Sequence, residues 1–93
     1  MFSGGSYAEV ARWLRMFLTS HAKREDPRLE VALEDADARE GRSYGARLLL
    51  GSRASAAVEF EYAEVAASRG SLAWCAAAAE RVRALGRAMV AQA

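Results

Sequence analysis

The chain is expected to fold as an α+β domain: a three-stranded antiparallel meander with two helices on one face, in the order α-β-β-β-α. Three observations predict this. Apolar residues recur at helical spacing near both ends of the chain and alternate with period two between them. Gly- and Ser-containing breaks separate the periodic runs. Charge follows the same partition. Residues 1–28 carry five Lys/Arg against three Asp/Glu, residues 29–64 four against eight, and residues 65–93 four against one. An acidic sheet thus lies between two basic helices.

Residues 1–5 read as a flexible N-terminal arm and residues 6–93 as a single α+β domain, since no repeat, linker or second domain is visible. Ser6 and Glu9 have the spacing of a capping box, in which each side chain satisfies the other's backbone N–H. A helix is predicted from about Tyr7 to Ala22. Tyr7, Val10, Leu14, Phe17, Leu18 and His21 share one face, Trp13 lies at its edge, and Arg12, Arg15 and Thr19 lie opposite. Lys23 and Arg24 suit the negative end of the helix dipole, and Pro27 prevents continuation.

Leu29, Val31 and Leu33 then alternate with Glu30, Ala32 and Glu34, the pattern of a half-buried strand. Ala38–Ser43 reads as a loop turning on Gly41. Tyr44, Ala46, Leu48 and Leu50 form the inner face of a second strand, with Arg47 and Leu49 outward. Ser52–Ser55 is a second short connection, and connections this short imply hairpins. Val58, Phe60 and Tyr62 alternate with Glu59 and Glu61 as a third strand. Val58, Tyr62 and Val65 also have helical spacing, and Ala63–Ala67 favours helix by propensity; the alternation decides for strand. Ser71 is the expected N-cap of a last helix running from Leu72 to about Val90. The expected core is Val10, Leu14, Phe17, Leu18, Leu72, Cys75, Val82, Leu85 and Met89 over Val31, Leu33, Leu48, Leu50, Val58, Phe60 and Tyr62.

Composition narrows the function classes. Twenty-two of the 93 residues are Ala, so the core is modest and a further contact surface such as a dimer interface is a reasonable supplement. One cysteine favours a reducing compartment. No signal peptide is apparent and no apolar run approaches the roughly 20 residues of a membrane span, so a cytoplasmic protein with no membrane partner is expected.

Candidate chemistry is sparse. His21 and Cys75 lie on the apolar faces of their helices and could pair to activate a thiolate. No glycine-rich turn accompanies them, and a structural role is the simpler reading. Soft-ligand zinc sites need about four ligands at short spacings, and the chain has no such motif. Glu30, Glu34, Glu59 and Glu61 share the sheet's outer face, but Arg47 should lie among them, which predicts salt bridges rather than a cation site. No catalytic, metal or cofactor site is expected, and the protein is not expected to be an enzyme.

Two surfaces remain. Leu49, flanked by Ala32, lies outward on the sheet and could meet another copy of the chain. Arg81, Arg83 and Arg87, with Arg12 and Arg15, make the helices basic. The order helix–three strands–helix is similar to that of double-stranded-RNA-binding domains. Those domains carry a lysine cluster at the start of the second helix, where this chain has Ser71-Leu72-Ala73-Trp74-Cys75-Ala76, so the likeness is one of order alone. The expected function is a small non-catalytic protein-interaction module, homodimeric, with Arg81, Arg83, Arg87, Arg47 and Leu49 as its candidate interaction surface. The alternative is a nucleic-acid-binding domain using its basic helices, disfavoured by the acidic third strand and near-neutral net charge.

Overall fold

Helix α1 (Tyr7–Glu25) begins at the expected capping box. Ser6 Oγ accepts from the Glu9 N–H (3.1 Å), and the Glu9 carboxylate accepts from the Ser6 N–H (2.8 Å). The structure, a computed structural model, describes residues 5–34, 39 and 41–92. The expected arm therefore lies outside the described residues except for Gly5, whose carbonyl accepts from the Tyr62 hydroxyl (2.7 Å). Helix α1 runs three residues beyond Ala22 and stops at Asp26, one residue before Pro27.

Strand β1 (Glu30–Glu34) pairs antiparallel with β2 (Ser43–Leu50), Val31 facing Leu48 and Leu33 facing Ala46. Part of the expected 38–43 loop lies outside the described residues; within it Gly41 has φ +68°, the left-handed conformation a glycine turn needs. The other edge of β2 carries two short strands, β3 (Arg53–Ala54) and β4 (Val58–Glu61). The second connection is thus shorter than expected. A two-residue turn, Gly51-Ser52, joins Leu50 to its partner Arg53, with Gly51 at φ +62°.

β3 and β4 are one line broken by a bulge. Their registers against β2 differ by one residue. Ser55 repairs the break: its N–H donates to the Leu48 carbonyl and its Oγ accepts from the Leu48 N–H, both at 2.9 Å. The buried hydroxyl replaces the ladder partner that the inserted residue removes.

The expected third strand is corrected at its end. The Val-Glu-Phe-Glu alternation holds as far as Glu61, after which Tyr62–Ser68 is helix α2. The ladder runs out there. Ser43 is the first residue of β2 and faces Glu61, and the Tyr62 N–H finds the Arg42 carbonyl (2.8 Å) as its last partner. With no strand left to pair, the helix propensity of Ala63–Ala67 decides. Val65 of α2 is fully buried.

Helix α3 (Leu72–Ala91) starts on the Ser71 cap, which accepts from the Trp74 N–H (3.2 Å). Helices α1 and α3 run in the same direction. Trp13 meets Trp74 near their starts (centroids 6.3 Å apart), and Glu25 meets Arg83 and Arg87 near their ends. All helices cover one face of the sheet, as expected. The core holds Val10, Leu14, Leu18, Val31, Leu48, Leu50, Phe60, Val82 and Met89 as anticipated, with Leu29, Tyr44, Ala46 and Val65 added. Leu72 is a correction: it is 88% exposed. It shares its side of the helix with buried Ala79 and Gly86, but as the first residue of α3 it lies beyond the elements that cover them.

Candidate functional site

The outer face of the sheet is an ion-pair lattice. Arg47 on β2 reaches the Glu34 carboxylate (2.7 Å) and the Ser55 carbonyl (3.0 Å). A second arginine completes the face. Arg39 lies over Gly45 in the central strand and bridges Glu59 on β4 (2.6 and 3.1 Å) to Glu34 on β1 (3.3 Å), while donating to Ser43 Oγ (3.0 Å). A Cβ on residue 45 would collide with the Arg39 guanidinium, so only glycine admits it in this place. Hydrogen bonds from Arg47 and then Arg39 hold the Glu34 carboxyl below its usual range, and Arg39 does the same for Glu59. The two carboxylates are ionised and occupied. Leu49 stays half-buried beside this lattice, between Glu30 and Ala54 on the flanking strands.

The three arginines of α3 are placed differently from one another. Arg83 binds Glu25 (2.6 Å), and Arg87 binds both Glu25 (3.2 Å) and Glu80 (2.7 Å). Arg81 lies over the Phe60 ring, 5.2 Å from its centroid, a cation–π contact that closes the core at β4. Glu25, held below its usual carboxyl range chiefly by the Arg83 hydrogen bond, is the acid that neutralises this group. Its position three residues past the expected helix end concealed it in the sequence.

Helix α1 carries a group of positive charges without acid partners. Arg12, Arg15 and Arg24 form no ion pair among the described residues, and Lys23 donates only to the Pro27 carbonyl (2.9 Å). Met16, 64% exposed, sits among them. Arg15, Met16, Thr19 and Ser20 line a shallow depression on the solvent side of the helix. Around the flank, Ala8, Ala11, Arg12 and Arg15 form a cleft of about 210 Å³ with Leu33 of β1. Sequence reasoning recognised Arg12 and Arg15 as exposed but could not see that Arg83 and Arg87 would be paired with acids and these would not.

His21 and Cys75 are not brought together. Cys75 lies one residue from Trp74, at the level of Trp13; His21 lies eight residues further along α1, about 12 Å at the helical rise. Cys75 Sγ faces the Arg69 carbonyl at 3.6 Å. His21 stacks edge-on against Phe17 (4.7 Å), which stacks on Trp13 (4.9 Å). Its Nδ1 is buried without a hydrogen-bond partner. Burial, then Arg24 and Arg83, lower its pKa below the ordinary histidine value, so the ring is neutral. Among the described residues no group of three or more His, Cys, Asp or Glu could hold a metal ion, and no helix is long and apolar enough to cross a membrane.

No protein-family model, curated protein or solved structure matches the chain. The fold and these surfaces are therefore the grounds for a functional reading.

Proposed function

We propose that this protein is a non-catalytic protein-interaction module that acts as a homodimer. The observation that carries the reading is the solvent side of α3. Ala73, Ala76, Ala77, Ala84, Ala88 and Ala91 are all exposed there. Glu80, Arg81 and Arg87 are the charged groups among them, and Glu80 and Arg87 pair with each other, one on either side of Ala84. Six exposed alanines on one helix let a second helix approach closely. A copy running antiparallel with Ala84 on the two-fold axis would bring Glu80 of each protomer to the partner's Arg87, so the surface is self-complementary in charge as an isologous interface must be. One helix pair buries less than the roughly 800 Å² per partner of a standard interface, so the expected association is weak, of order micromolar. Arg83 and Arg87 thus belong to the rim of this surface, and Leu49 and Arg47 to the opposite face. Two observations among the described residues agree with the non-catalytic part: Glu34 and Glu59 on the outer face are held by arginines, and Cys75 lies far from His21.

Light scattering across a concentration series tests the dimer. The parent should rise toward twice the monomer mass at tens of micromolar, and Ala84→Arg should remain monomeric with an unchanged circular dichroism spectrum. A parent that stays monomeric throughout removes the reading.

Nucleic-acid binding is the second reading, favoured by the unpaired Arg12, Arg15, Lys23 and Arg24 on α1. Its test is binding to duplex RNA at low salt. Arg12→Glu with Arg15→Glu should abolish it, whereas Arg83→Glu with Arg87→Glu should weaken it less because those charges are already neutralised.

A further inference from the structure

The free edge of β1 lies beside the α1 cleft, and the two together form a site of their own. Among the described residues β1 has a single neighbour, β2. In an antiparallel pair, alternate residues turn their N–H and C=O toward the partner and away from it. Leu48 directs both groups to Ser55, on the far edge of β2, and the Arg42 carbonyl likewise points to that edge. Even-numbered residues of β2 thus face β4, and odd-numbered ones face β1. The hydrogen-bonded partners on β1 are Glu30, Ala32 and Glu34. Val31 and Leu33 consequently turn their N–H and C=O groups to the open edge.

The side chains of Val31 and Leu33 point to the helix-covered face, as their burial beside the outward glutamates shows. Any strand added at this edge would direct the residues opposite them to that same face. There it would meet the flank of α1: small Ala8 and Ala11, with Arg12 and Arg15 above. The cleft, about 210 Å³, is below the roughly 300–1,000 Å³ of small-molecule sites but takes one or two side chains. Neither arginine forms an ion pair among the described residues.

We propose that this edge binds an extended acidic peptide segment of another protein by strand addition, with carboxylates at alternate positions meeting Arg12 and Arg15. Main-chain hydrogen bonds to Val31 and Leu33 supply affinity and the arginine-topped cleft supplies selection. The intervening residues fall on the outer face, where exposed Glu30 repels acid. The favoured segment therefore alternates an acidic residue with a neutral one, rather than being acidic throughout. A second copy of this chain is a poor occupant: pairing Val31 with the partner's Leu33 sets Glu30 against the partner's Glu34 and brings the two sets of Arg12 and Arg15 together. The proposal rests on the interaction-module reading and supplies the chemistry of a partner.

The test is fluorescence anisotropy with a labelled, end-blocked Thr-Glu-Thr-Glu-Thr-Glu-Thr peptide at low salt, against the folded parent chain. Binding is expected, with a roughly tenfold or greater loss for the variant combining Arg12→Glu and Arg15→Glu, whose exposed positions leave the fold intact by circular dichroism. N-methylation of the glutamate residues, whose N–H groups would face β1, should abolish binding. N-methylation of the threonines should be tolerated. Loss of binding that does not depend on which set is methylated, or affinity unchanged in the double arginine variant, overturns the proposal. So does duplex RNA binding to the same arginines while the peptide does not. A dimer by light scattering with no peptide binding would leave the module reading in place and end this one.

Discussion

Gly86 lies where helix α3 packs against Leu29, the residue before β1, and Leu48 of β2. A Cβ at this position would stand 3.0 Å from Leu29 Cδ1 and 3.6 Å from Leu48 Cδ1. Both leucines are almost entirely buried, so neither can move aside into solvent. Two effects compete in Gly86→Ala: helix propensity favours alanine by about 1 kcal/mol, and overpacking of a dense core costs about 1–3 kcal/mol. The clash should win, leaving the variant about 1 kcal/mol less stable in urea unfolding. A stabilised variant would mean that the helix can lift from the sheet at little cost. Gly45 shows the same logic on the solvent side, where the missing side chain is filled by Arg39 rather than by a leucine. Three tyrosines do comparable work at the other end of α1. Tyr7 and Tyr44 stack at 4.5 Å, the Tyr44 hydroxyl donates to the Tyr7 carbonyl (2.7 Å), and Tyr62 holds Gly5.

At the scale of elements, the α1–α3 seam depends on pH through one residue. His21 is folded into the seam with its Nδ1 buried and unpartnered, facing Arg24 on its own helix and Arg83 on α3. Its folded pKa is lowered, so the unfolded chain takes up a proton at a higher pH than the folded one. The corresponding stability is fully present above the ordinary value of 6.5 and is lost as pH falls below it. His21→Phe should flatten the dependence of the melting temperature between about pH 7 and 5. An unchanged slope in that variant would assign the effect elsewhere. The bulge between β3 and β4 is a second element-scale device, because Ser55 lets the strand shift register without leaving the Leu48 N–H unpaired.

For the whole molecule, charge placement sets the acid limit. Hydrogen bonds from neighbouring arginines hold Glu25, Glu34 and Glu59 below their usual value of 4.5. Asp26, held by Arg28, is lowered to about 2. Depressed carboxyl pKa values contribute stability that is present above the unfolded value and disappears as pH falls through the folded one. Acid unfolding should therefore begin below about pH 4.5 and continue toward pH 2, in a range separate from the His21 effect. Each of these pairs has one partner open to solvent, so added salt should diminish the difference in stability between pH 7 and pH 3. Circular dichroism against pH at two ionic strengths would measure this, and a curve indifferent to salt would count against the pairs as its source. The same placement leaves the two helices unlike: on α3, Arg83 and Arg87 are paired with Glu25 and Glu80, and α1 keeps Arg12, Arg15 and Arg24 without an ion pair among the described residues.

Periodicity and caps alone determined most of the architecture. The Ser6/Glu9 box, Pro27, the alternations around Val31 and Leu48 and the Ser71 cap are local signals, and each acts through backbone groups within a few residues. They define two long helices, a central strand and the face on which the helices lie. The end of the third strand at Glu61 was not legible, because it depends on where β2 runs out of partners rather than on residues 58–68 themselves. Leu72 was misplaced for a similar reason: a helical wheel gives direction but not whether anything stands in that direction. The candidate surface shows the same division. Sequence marked Arg47, Arg81, Arg83 and Arg87 as positive, yet their neutralisation or stacking comes from residues far along the chain, Glu34, Phe60 and Glu25. Only the tertiary structure brings those partners within hydrogen-bond or ring distance, and only it leaves Arg12 and Arg15, among the described residues, unpaired beside an open strand edge. Local chemistry determined what each segment becomes; long-range packing decided which charges were left for a partner to meet.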